Sequence, residues 1–106
     1  MNTRLFGSQL RTDTLVAIAR LGDTYISELA AVLGRRPIEV RRAVASLEAA
    51  GAVATRRRGT VRLIGLDPRF QARRELYALL LRMSESPHYE NRWAIRRRPR
   101  AMAKPL

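Results

Sequence analysis

The chain has 106 residues, 46% of them hydrophobic, which is enough for one buried core and too little for two domains. It contains no cysteine, so disulfides, thiolate metal sites and cysteine nucleophiles are excluded by chemistry. Twenty-one basic residues against nine acidic ones give a formal net charge of +12, an imbalance that points first to a polyanionic partner.

Lys104 is the only lysine in that basic set. Guanidinium forks pair bidentately with phosphate and with guanine edges, which an ammonium does less well. A GC-rich genome would also favour arginine over lysine, but it does not explain the excess over acids. The opening MNTRLFGSQLRTD lacks an apolar run of signal-peptide length, and no window approaches the roughly 20 apolar residues of a membrane span. The expectation is a cytoplasmic, nucleoid-associated protein with no membrane contact.

Residues 8–21 are predicted to form a helix with Leu15, Ile18 and Ala19 on one face and Leu10, Ala17 and Leu21 towards another, stopped by Gly22. Two apolar sides on a short helix suggest that it faces its own core and something else. Thr24 to Ile26 reads as a very short strand. Ser27 is then the expected N-cap of a two-turn helix with Leu29, Ala30 and Leu33 buried and Gly34 at its exit.

The segment GRRPIEVRRAVASLEAAG, residues 34–51, carries Pro37 in a first turn and Val40, Val44 and Leu47 at core spacing, with Gly51 closing it. At 100° per residue the opposite face holds Ile38, Arg42, Ala45 and Ala49, flanked by Arg41 on one side and Glu39 and Ser46 on the other. That side is basic, with small residues between the charges. Glu39 has two available roles: accepting from a cytosine amino group or pairing with Arg42, the second being the ordinary helical arrangement.

Residues 52–66 read as two short strands around Arg57-Arg58-Gly59-Thr60, which places Arg56, Arg57 and Arg58 at or near a hairpin tip. Charged hairpin tips resist edge-to-edge aggregation, but three adjacent like charges also repel unless an anion neutralises them. Asp67-Pro68 is expected to cap a helix running to Met83. Its apolar residues, among them Phe70, Leu76, Tyr77, Leu79, Leu80 and Leu81, exceed what one stripe on a small core can bury, so a second chain should cover some of them. With the two-sided first helix, Leu10, Leu21, Tyr77, Leu80 and Leu81 become the expected homodimer contacts.

From residue 84 the composition changes. Arg92, Arg96, Arg97, Arg98, Arg100 and Lys104 meet no acid after Glu90, and Pro99 and Pro105 interrupt them. Residues 84–106 are therefore read as a flexible basic arm with Tyr89, Trp93 and Ile95 as anchors, and residues 1–83 as the folded domain. His88, the only histidine, has no neighbouring ligand set in the sequence, and no phosphate loop, nucleophile elbow or spaced carboxylate pair appears. The expectation is a protein that is not an enzyme and has no cofactor or metal.

The order helix, strand, helix, helix, hairpin, helix makes the expected fold class mainly α with a small β-hairpin, in the arrangement of a winged helix-turn-helix. Residues 5–68 resemble the ArsR-like winged-helix regulators through Leu5-Phe6-Gly7-Ser8, Ser27-Glu28-Leu29-Ala30 with Leu33-Gly34, Pro37, Leu47-Glu48 with Ala50-Gly51, and a basic wing before Leu66-Asp67-Pro68. The sequence departs from that pattern in carrying Arg36 where a serine or threonine cap is usual, and in lacking the cysteine pairs of metal-sensing relatives. The resemblance implies a two-fold dimer with its third helix in the major groove of double-stranded DNA and its wing on the adjacent backbone or minor groove. The expectation is a homodimeric transcriptional regulator, a repressor by occlusion rather than an activator, since the chain has little room for an effector domain. Base-edge contacts would come from Arg41, Arg42 and Ser46, with Ile38 against a thymine methyl. Phosphate contacts would come from Arg35, Arg36, Arg56, Arg57, Arg58 and Arg62, with Thr60 at the wing tip. Two other readings stay open: a winged-helix module that binds a protein partner, and an architectural or RNA-binding protein using its arginine tail.

Overall fold

A computed structural model describes residues 4–93 as four α-helices and one two-stranded antiparallel hairpin, closed by a single 3₁₀ turn. The helices are α1 (Gln9–Leu21), α2 (Ile26–Leu33), α3 (Pro37–Ala49) and α4 (Arg73–Ser84); the strands are β1 (Val53–Arg58) and β2 (Val61–Leu66), and the 3₁₀ turn is Pro87–Tyr89. Among the described residues no helix is long and apolar enough to cross a membrane.

Helix α1 is the axis on which the rest is built. Ser8 caps it by accepting the Arg11 amide at 3.1 Å. From Thr12 to Ala19 every residue is buried, and so is Leu21, because α2, α3, α4 and β2 all pack against this one helix. The second apolar side, expected to face another chain, is covered by the protein itself: Ala17 and Leu21 belong to the core, and Leu10 packs partly buried against it. A helix that is apolar nearly all round is an interior one, and here the interior belongs to the same chain.

Three polar residues share that burial, each with its hydrogen bonds made locally or across the fold. Thr14 donates to the Leu10 carbonyl at 2.7 Å, and Thr12 accepts the Phe6 amide at 3.0 Å. Asp13 accepts from the Tyr89 hydroxyl at 2.7 Å, a bond that spans most of the chain. A buried carboxylate without a donor would be costly, so this contact fixes the chain after α4 against α1.

Helix α2 begins two residues earlier than expected. Tyr25, in extended conformation, is its N-cap without a side-chain hydrogen bond, and Ser27 lies inside the first turn. Thr24 forms a single bridge to Ile64 in place of a strand. In α3 the residues Val40, Val44 and Leu47 are buried, as its spacing predicted, and Ala43 is buried with them.

The hairpin pairs Arg58 with Val61, leaving Gly59-Thr60 as a two-residue turn. Gly59 has φ 63° while Thr60 keeps a negative φ, the combination of a type II′ turn that suits the strand twist. Val53 and Ile64 at the hairpin's base are inserted into the core.

Asp67-Pro68 does not start a helix. Asp67 accepts from the Arg69 amide at 2.9 Å and from two nitrogens of its guanidinium, Nε and Nη2, which makes a local turn, and α4 begins only at Arg73. Leu80 and Met83 of α4 are buried against the body, so Leu80, like Leu21, is withdrawn from the expected dimer contacts. Tyr77 and Leu79 are 42% and 43% exposed, and Leu81 is half-buried.

The expected flexible arm is corrected over its first part. Residues 84–93 fold back onto α1: Tyr89 is fully buried, Trp93 donates to the Ser84 carbonyl at 3.1 Å, and the two rings stack at 5.9 Å. Arg92 donates to the Leu33 carbonyl at 3.3 Å, and the Arg20 guanidinium lies over the Trp93 ring. The aromatic residues taken as arm anchors are thus part of the body, because they satisfy Asp13 and cover the apolar surface that α4 leaves open. Ile95, Arg96, Arg97, Arg98, Arg100 and Lys104 lie outside the described residues.

Replacing Tyr89 by Phe should lower stability by about 1–3 kcal/mol, because the Asp13 carboxylate stays buried with its donor removed. Burial first, and then the Asp13 carboxylate, push the Tyr89 phenol above its ordinary pKa of 10.0. A raised value means that the stabilisation is intact below about pH 10 and is lost as pH rises through the folded pKa. Thermal melts of wild type should therefore decline above that pH, and those of Tyr89→Phe should decline less steeply.

Candidate functional site

Helix α3 owes its start to Glu39. The Arg36 amide donates to Glu39 Oε1 at 3.1 Å, and Pro37 fills the first-turn position that lacks an amide partner in any case. A guanidinium has no acceptor, so Arg36 cannot return the bond as a serine would; the Glu39 amide turns to the Arg36 carbonyl at 3.0 Å instead. Arg35 grips the same carboxylate with two nitrogens at 3.3 and 3.2 Å. The expected Glu39–Arg42 pair is not formed, because the carboxylate is drawn back over the helix start. Hydrogen bonding to Arg35, then to the Arg36 amide, holds the Glu39 pKa below its ordinary value, and the same contact raises that of Arg35.

The consequence is an uneven sharing of charge among the four arginines. Arg35 and Arg36 are partly neutralised by Glu39. Arg41 and Arg42 are exposed, with no ion pair or side-chain hydrogen bond among the described residues. Between them the crest of α3 is low: Ile38, 44% exposed, with Ala45 and Ala49, also exposed. Ser46 sits half-buried on one flank.

Each flank of α3 opens into a cleft. On the hairpin side a space of about 190 Å³ is bounded by Arg41, Ala45, Glu48, Thr55 and Arg62, with Ile64 at its base. Thr55 donates to Glu48 at 3.1 Å there, occupying that carboxylate. On the α1 side a space of about 310 Å³ is bounded by Ser8, Leu10, Arg11, Glu39, Arg42 and Ser46.

The strand register separates the three hairpin arginines. Arg57 stands opposite Arg62, so both project from the face that lower down carries Val53 and Ile64. Arg56 and Arg58 project from the other face. Arg56 is engaged by Asp23 in an ion pair, and this corrects its place among the free tip cations; Arg58 and Thr60 are exposed beside the turn. Strand alternation dictates that separation, since three consecutive side chains cannot share one face.

Of the expected site residues, Arg41 and Arg62 share the hairpin-side cleft and Arg42 and Ser46 the α1-side cleft, while Arg56 and Arg58 project from the opposite hairpin face. Chemically the surface offers unpaired guanidinium groups around a shallow crest that another body can approach closely. Arg11 is the residue that sequence reasoning left out. It stands on α1 with no local pattern to mark it, and only the packing of α1 on α3 brings it next to Arg42. Among the described residues no three His, Asp or Glu side chains converge as metal binding would require. No protein-family model and no curated protein matches the chain.

Neutralising Glu39 as Glu39→Gln should lower the Tm at neutral pH by loosening the start of α3. Because the folded-state pKa of Glu39 lies below 4.5, its contribution is present above that pH and is lost as pH falls through the folded value. Melts from neutral to acid pH should show the wild-type advantage over Glu39→Gln shrinking below about pH 4.5.

Proposed function

We propose that the chain is a winged helix-turn-helix regulator that binds double-stranded DNA sequence-specifically, with α2 and α3 as the helix-turn-helix, α3 in the major groove and the hairpin as wing. The observation that carries this reading is the α3 face itself: a crest of Ile38, Ala45 and Ala49 bordered by unpaired Arg41 and Arg42, with Arg57, Arg58 and Arg62 on the neighbouring hairpin. Small crest residues allow a helix to sit deep in a groove about 12 Å wide, and guanidinium groups at its edge reach guanine. Arg42 and Ser46 read base edges, Ile38 meets a thymine methyl, and the hairpin arginines hold phosphates. Arg35 and Arg36 contribute less than free cations would, since Glu39 shares their charge. The chain acts in the cytoplasm, on the nucleoid, in the manner of the ArsR-like regulators it resembles but without thiolate sensing.

Dimerisation belongs to the same proposal. The exposed Tyr77 and Leu79 with half-buried Leu81 make a strip on α4 suited to a second copy. Two copies would place two α3 helices on an inverted repeat and block the promoter by occupancy. The same strip favours a second reading, in which α4 holds a different protein.

Fluorescence anisotropy with a duplex from the gene's own upstream region, beside a shuffled duplex at physiological salt, tests the main reading. A preference of about 10³-fold or more is expected. Arg42→Ala should erase much of it. Replacing Arg57 and Arg58 by Gln should weaken binding to every sequence alike and reduce the salt slope by about 0.9 for each phosphate contact removed. Equal binding of both duplexes would sink the sequence-specific reading.

Light scattering at micromolar concentration is expected to give a dimer, and Leu79→Glu a monomer. A monomeric wild type that captures no second copy would leave the α4 strip to a partner protein.

A further inference from the structure

The α1-side cleft holds a cation for which neither the fold nor the resemblance supplies a partner. The buried Arg11 Nε makes no hydrogen bond among the described residues, and the side chain makes no ion pair. Its guanidinium lies against Gly7, where a Cβ would come within 3.1 Å of Nη1 and where φ is 114°, so the loop before α1 leaves room for this arginine to fold back into the cleft. Across the same space stands Arg42, equally unpaired, with the Ser8 and Ser46 side chains on the wall. Glu39 also lines the cleft, but both of its oxygens are engaged, by the Arg35 guanidinium and the Arg36 amide. Two like charges facing one cleft, one of them with a buried unsatisfied donor, form an arrangement that an anion would stabilise.

We propose that this cleft is a phosphate site in which Arg11 holds a backbone phosphate of the DNA strand bordering α3, next to the base pair that Arg42 reads. This inference rests on the duplex-binding reading and adds a contact on the flank of α3 opposite the hairpin. With Arg11 on one flank and Arg62 on the other, α3 is held between the two strands that wall the major groove. Arg11 then sets depth and register, and sequence discrimination stays with α3.

The test uses the full chain, as wild type, Arg11→Gln and Arg11→Lys, with thermal melts verifying that each is folded. Anisotropy is measured across a salt series on the preferred and shuffled duplexes, and on duplexes carrying a single neutral methylphosphonate at successive positions. Arg11→Gln should lower affinity for both duplexes by the same factor and reduce the salt slope by about 0.9. One methylphosphonate position should weaken wild type but not Arg11→Gln. Arg11→Lys should keep the slope, and it keeps the test readable if the neutral variant is unstable. An unchanged slope and methylphosphonate profile in Arg11→Gln, while the Arg57 and Arg58 variants still lose slope, would overturn this site and leave the duplex-binding reading standing. A saturable shift of the Arg11 Nε–H resonance with inorganic phosphate alone, joined to an unchanged DNA slope, would overturn the DNA assignment in favour of a free anion. Failure of wild type to bind any duplex would overturn both readings together.

Discussion

The fold depends on the burial of α1 from Thr12 to Ala19, and that burial depends on Asp13 having a donor. A carboxylate in the middle of an interior helix is tolerable only if another part of the chain reaches it, and Tyr89 does so from beyond α4. This one bond draws residues 84–93 onto the body, seats Trp93 against Tyr89, and turns what reads as a tail into the last layer of the core. His88 follows from the same placement: its Nε2 comes to 3.5 Å from Asp13 and 3.2 Å from the Gln9 amide nitrogen, a contact with α1 that packing brings about.

With α1 enclosed, α3 is free to be asymmetric. Its inner face is committed to the core through Val40, Val44 and Leu47, and its start is organised by Glu39 without the usual hydroxyl cap. That arrangement has an electrostatic consequence. The carboxylate which could have paired with Arg42 is used one turn back, so the middle of the exposed face keeps its positive charge unneutralised. The proposed DNA face and the stability of the helix that bears it are coupled through one side chain.

The same logic separates the hairpin arginines. Arg56 ties the middle of β1 to the loop after α1 through Asp23, while Arg57, Arg58 and Arg62 stay outside any ion pair among the described residues. A run that looks uniform in the sequence contains one structural cation and two that face outward. The difference comes from pleat and register, which a charge count does not contain.

Much of the architecture is legible in the sequence because its determinants are local. The i, i+4, i+7 spacing of Val40, Val44 and Leu47, the proline at residue 37, and a glycine at a two-residue turn each act within a few residues, and α3 and the hairpin form where they imply. Asp67-Pro68 misleads for the same reason: a helix cap and a local turn share the same residues, and here the Asp67 carboxylate takes the Arg69 amide in a turn. What only tertiary structure decided are the long-range partners. Leu21 and Leu80 are apolar residues whose sequence cannot say whether a second chain or their own chain covers them, and here it is their own. Tyr89 finds Asp13, and Arg11 comes beside Arg42, across separations that no periodicity encodes. By itself the sequence determined most of the elements, the absence of thiol chemistry and the sign of the surface charge; the tertiary structure decided which of those charges are left free, because the partners Asp23 and Glu39 and the strand register take some arginines and leave others.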